Sequence, residues 1–203
     1  MPISWRRSVA ALLAFVAGNA ATAQGWEVRY SHDASLKTPV AGQGFSFDFP
    51  QAPGSVHYVT KPVVLAPKVT VSATFTITMT GAPQFDYRTA PDNTCDRPAS
   101  VRLFLQRRDD PMTGQGQYEF YRWWSNAGVE LKAGTFTLAV PLQPASWVSV
   151  MGKGGDRNPA EFSATLADLG HVGVTFGSGC FYGHGVRVVN GRATFTMQRF
   201  EVR

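Results

Sequence analysis

From Val69 to Thr80 the chain alternates without a break. Val69, Val71, Ala73, Phe75, Ile77 and Met79 interleave with Thr70, Ser72, Thr74, Thr76, Thr78 and Thr80. Successive side chains of an extended chain point to opposite faces, so the pattern is a strand with one apolar and one wet face. At 3.6 residues per turn the same pattern would scatter apolar groups around a helix. A strand of this kind must lay its apolar face on a second layer.

Shorter runs repeat the theme. Phe45, Phe47 and Phe49 alternate until Pro50 stops them, and Val101, Leu103 and Leu105 alternate with Arg102, Phe104 and Gln106. Phe136, Leu138, Val140 and Leu142 form another inward set, followed by residues 147–151 and 172–176. Asn190-Gly191 carries the signature of a two-residue hairpin turn joining 185–189 to 192–197. The parity slips between Met197 and Phe200, which points to a bulge or a crossing between sheets. One stretch, 164–169, reads as a short helix closed by Gly170. With 20 Gly and 13 Pro punctuating the runs, the expectation is all-β: eight to ten strands in an antiparallel two-sheet β-sandwich of jelly-roll type.

The beginning of the chain reads differently. Arg6 and Arg7 precede an apolar run over 9–17, and Ala21-Thr22-Ala23 has the small-x-small form of a secretory cleavage site. A cleaved signal peptide over 1–23 is therefore expected, then a single β-sandwich domain over 24–203, exported to the periplasm or beyond the cell. The apolar run is too short to span a bilayer, so no membrane span is expected in the mature chain. Of 19 basic residues against 14 acidic, the leader removes Arg6 and Arg7, leaving 17 against 14. That excess is too small and too scattered to mark a nucleic-acid partner. In an exported chain Cys95 and Cys180 are expected to form a disulfide, contributing about 4–5 kcal/mol by closing a long loop.

Five of the seven residues from Tyr118 to Trp124 are aromatic. As a strand, Tyr118, Phe120, Arg122 and Trp124 share one face, and Glu119, Tyr121 and Trp123 the other. Either trio, Glu119–Tyr121–Trp123 or Tyr118–Arg122–Trp124, offers rings to stack on apolar C–H faces and polar groups for hydroxyls. Arg102, Gln106 and Tyr87 add polar contacts if their strands lie alongside. The competing expectation is that the rings fill the core.

Oxygen-rich loops at Asp109-Asp110 and at Asp92 and Asp96 are the candidate sites for a structural calcium, although neither has EF-hand spacing. A zinc set from Asp168, His171, Cys180 and His184 lacks the usual close-spaced pair. No Gly-x-Ser-x-Gly elbow and no His-Glu-x-x-His occurs. No acid/base pair is singled out, and Glu119 is the one carboxylate that stands inside the aromatic run.

Four segments resemble the galactose-binding-like jelly rolls of bacterial carbohydrate-binding modules: 134–142, 147–152, 162–176 and 191–202. Tyr121-Arg-Trp-Trp-Ser125 together with 177–185 is similar to a group of uncharacterised secreted bacterial proteins, a likeness that implies no activity. The resemblance implies a sandwich whose sugar contacts sit on variable loops and sheet faces, so it assigns no individual residue. The expected function is a non-catalytic domain that binds a carbohydrate or surface glycan. The alternatives are a glycan lyase or hydrolase using Glu119, and a structural protein of the envelope.

Overall fold

The computed structural model describes residues 25–36, 44–63, 69–87 and 95–203. The expected leader and Asp92 lie outside them. Among the described residues, ten strands pack as two antiparallel sheets. Strands β1 (Glu27–Arg29), β3 (Tyr58–Pro62), β5 (Ala99–Arg107), β6 (Arg122–Glu130), β8 (Trp147–Ser149) and β9 (Leu169–Ser178) form a six-stranded sheet in the order β1-β3-β9-β5-β6-β8. Strands β2 (Phe45–Asp48), β4 (Thr70–Tyr87), β7 (Gly134–Pro141) and β10 (Val186–Val202) form a four-stranded sheet in the order β2-β10-β4-β7. A helix, α1 (Pro159–Ala167), is inserted before β9. No helix among the described residues is long and apolar enough to cross a membrane.

The inner faces meet as the alternation requires. Val71, Ala73, Phe75 and Ile77 of β4 and Phe195, Met197 and Phe200 of β10 are buried against Leu103, Val174 and Phe176 of the other sheet. Phe195 stands at the centre, 5.0 Å from Phe75 and 5.2 Å from Phe176 by ring centroids. Rings at these separations add attraction beyond their buried area. The parity slip is a bulge: Met197 faces Phe75 and Arg199 faces Thr74, so Gln198 is the extra residue and Phe200 turns inward again.

Three expectations need correction. Asn190-Gly191 makes no hairpin. β10 runs straight through it, because both halves pair with the same long strand β4, and the register shifts between Val189, which faces Gln84, and Gly191, which faces Gly81. The helix spans 159–167 rather than 164–169. Pro159 stands at its first turn, where the missing N–H costs nothing, and Leu169 already belongs to β9.

The third correction concerns the aromatic run, which is extended only from Arg122 onward. Residues 116–120 form a 3-10 turn, entered through Gly114 and Gly116 at φ 68° and 57°, left-handed values that suit glycine. The turn is held by a buried exchange: Trp123 Nε1 donates to Phe120 O at 2.8 Å, and Thr165 Oγ1 of the helix donates to the same carbonyl at 2.8 Å. Cys95 and Cys180 are bonded to each other, joining the approach to β5 with the loop after β9.

Candidate functional site

Strand β5 is buried on both faces, so something covers the outer side of the six-stranded sheet. Val101, Leu103 and Leu105 point into the core, while Arg102, Phe104 and Gln106 point outward. Pairing sets Phe104 opposite Gly173 on one side and Trp124 on the other, with Val148 beyond Trp124. Tyr58 faces Thr175, which in turn faces Arg102. Tyr58, Phe104 and Trp124 thus form a second apolar cluster, flanked by Met112, Val148, Val150 and Tyr182. Phe104 lies 4.9 Å from the Tyr58 ring and 5.8 Å from Trp124.

Above this floor opens a cleft of about 920 Å³, a size that suits a few sugar rings. Tyr30 to His32 make one wall, residues 148–152 another, and the 180–184 loop a third. Two glycines let that loop close in. A Cβ on Gly183 would collide with the Tyr58 hydroxyl, and one on Gly185 would stand 2.5 Å from His57 Nε2. His57 is held by Ser55 Oγ at 2.8 Å and the Gly183 carbonyl at 3.2 Å.

Arg122 lines the cleft with its Nε 3.1 Å from the carboxylate of Asp110, whose side chain is wholly covered. The contact is an ion pair; the Nε–H itself is not aligned for a hydrogen bond. Asp110 also accepts from Gln106 Nε2 and from the Met112 amide, both at 2.9 Å. Burial pushes the Tyr58 hydroxyl up to about 12, against the lowering pull of Arg122's charge and hydrogen bond. Two polar groups of the lining are buried and meet no partner among the described residues: the indole N–H of Trp124 and the hydroxyl of Ser149. Native proteins leave few such groups without a reason.

Of the residues singled out by sequence, Arg122 and Trp124 are in the cleft. Gln106 lies just beneath, tied to Asp110 and, at 2.8 Å, to Arg29. Arg102 is buried, its guanidinium 3.7 Å from the ring centroid of Tyr182. Trp123 is sealed in the core. Tyr118 and Tyr121 pack edge to face on each other outside the cleft lining. Glu119, also outside it, pairs with Lys153 at 2.8 Å. Tyr87 belongs to the other sheet and donates to Arg97 O, beside a smaller hollow that holds the Asp86–Arg187 ion pair.

Asp110 is thus spent on Arg122, whereas Asp109 and Asp96 are exposed. Among the described residues no group of three or more His, Cys, Asp or Glu side chains is placed to hold a metal ion. Sequence reading missed Tyr30, Tyr58, Tyr182, His32 and His57, and named His184 only in the zinc set. The one available signal was the clustering of aromatic and His residues among the glycines of 177–185.

No family model and no curated protein matches this chain. Among solved structures it is similar to one described as "CBM4 structure and function", with 14% identity, TM-score 0.36, and 90% of this chain and 88% of that chain covered. It is also similar to a "xylan-binding module CBM15", with 12% identity, TM-score 0.36, and 86% and 92% covered. At that TM-score the β-sandwich assignment rests on the two sheets themselves.

Proposed function

We propose that this chain is an exported, non-catalytic β-sandwich that binds a carbohydrate in the cleft on the outer face of its six-stranded sheet. The observation that carries the proposal is the aromatic lining: exposed Tyr30 on the rim and half-buried Tyr182 on the wall supply ring surface above a floor of Tyr58 and Trp124, whose buried N–H lacks an acceptor among the described residues. A sugar ring stacks its C–H face on such rings and offers oxygens to such donors.

Tyr30 supports the same reading. It stands on the rim 54% exposed, yet holds φ at 51°, a left-handed conformation that costs a non-glycine residue about 1 kcal/mol. Its ring meets the edge of Tyr58 at 6.5 Å. Little burial offsets the strain, which fits a ring kept for a ligand. The disulfide fits an exported chain. No carboxylate lines the cleft among the described residues, so the paired acids of a glycosidase have no counterpart there.

Isothermal titration against a broad panel of oligosaccharides tests the proposal. The mature chain should bind at least one class, and Tyr30→Ala should weaken it by about tenfold while leaving the thermal midpoint unchanged. Failure of the wild type across the panel would refute it.

A further inference from the structure

We infer that the carbohydrate taken by this cleft is acidic, built from rings that carry carboxylates. The inference rests on the glycan reading above and concerns which class of glycan it is.

The lining has an unbalanced set of hydrogen-bonding groups. None of its 19 residues is Asp, Glu, Asn or Gln. Each hydroxyl of a neutral sugar donates as well as accepts, and a site that desolvates it must supply acceptors, for which carboxylate and amide oxygens are the strongest side chains. Here the side-chain acceptors reduce to hydroxyls and imidazoles, and His57 already has its ring nitrogens on Ser55 and Gly183. The donors are better provided. Trp124 Nε1 is buried without a partner among the described residues, and the largely buried Arg122 guanidinium lines the cleft. An ionised carboxylate is a pure acceptor with room for several donors, which is what this set lacks.

Charge points the same way. Arg122 lines the cleft, whereas the side chain of its counter-ion Asp110 is wholly covered. The pair therefore turns its cationic end toward the ligand. Burial in a low-dielectric floor strengthens that field relative to a surface pair. His32, His57 and His184 stand on the adjoining walls. The carboxylate of the neighbouring hollow, Asp86, is matched by Arg187 at 2.6 Å, and Glu27 at the sheet edge is matched by Arg29 at 3.4 Å.

The test is titration of the mature chain with oligogalacturonate and oligomannuronate hexamers, with xylohexaose and cellohexaose as neutral rings, and with hexaglutamate as an anion without rings. An acidic hexamer should bind about tenfold or more tightly than either neutral one, and hexaglutamate should not compete. Met151 on the opposite rim is 64% exposed and free to vary without disturbing the core. Met151→Lys should tighten the acidic hexamer several-fold and Met151→Glu should loosen it to a similar degree, with neutral rings indifferent to both. Neutral hexamers binding as tightly as acidic ones would overturn the inference and leave the glycan reading standing. Equal binding of hexaglutamate would overturn it as mere attraction of opposite charges. Failure of every saccharide would overturn both.

Discussion

The two sheets share a core but treat their outer faces in opposite ways. On the four-stranded sheet the outer face is polar and carries rows of short hydroxyls: half-buried Thr74 pairs with exposed Thr137 at 3.1 Å and half-buried Thr76 with exposed Thr135 at 2.8 Å. On the six-stranded sheet the outer face carries Tyr58, Arg102, Phe104, Arg122 and Trp124, every one of them buried. A sandwich needs only its inner faces to fold. The first face meets that minimum, while the second adds large rings, a buried cation pair and unpaired donors that the fold does not demand. That asymmetry is what the proposed binding site on the six-stranded sheet rests on.

The largest effect should come from the shared core. Trp123→Ala removes an indole packed 5.1 Å from Phe162 and should cost about 3–5 kcal/mol in urea unfolding. At the cleft, Arg122→Met should cost nearly as much, about 3 kcal/mol or more, by leaving Asp110 charged and without a counter-ion in a covered position. The double variant with Asp110→Asn should recover most of that loss, and failure to recover would mean Arg122 works mainly through packing.

Tyr58 sharpens the comparison through pH. Its folded value of about 12 lies above the ordinary 10.0 of a tyrosine, so the neutral hydroxyl is favoured in the fold. The stabilisation is complete below pH 10 and is lost as pH rises through 12, an effect of about 2–3 kcal/mol. Tyr58→Phe should flatten that part of the stability–pH curve. The smallest effect belongs to the other sheet. Thr76→Val should change stability by less than about 0.5 kcal/mol and leave ligand binding untouched.

The same asymmetry explains what could be read from sequence. The alternation of β4 and the parity slip between Met197 and Phe200 are local patterns, so the inner and wet faces were legible, and the slip was legible as a bulge or a crossing, of which the pairing makes it a bulge. So was the opposition of Trp123 to Trp124, once the backbone is extended. The turn at 116–120 was not, because aromatic spacing carries no record of the Thr165 hydroxyl that holds Phe120 O from a helix far along the chain. Nor was most of the cleft. Tyr58 reaches Phe104 only through β9, whose Thr175 and Gly173 pair with both strands. Tyr182 reaches Arg102 only because Gly183 lets its loop close over Tyr58. Such contacts follow from long-range pairing, which period and propensity do not encode.

The indole N–H resonances offer the most direct test of the cleft. Trp123 Nε1 donates to Phe120 O and Trp147 Nε1 to Pro141 O, both at 2.8 Å, whereas Trp124 Nε1 has no partner among the described residues. Titrating a bound oligosaccharide into ¹⁵N-labelled protein should therefore move the Trp124 indole signal strongly and leave those of Trp123 and Trp147 nearly still. A saturating sugar that leaves the Trp124 signal in place, or shifts all three alike, would contradict a binding site on this face.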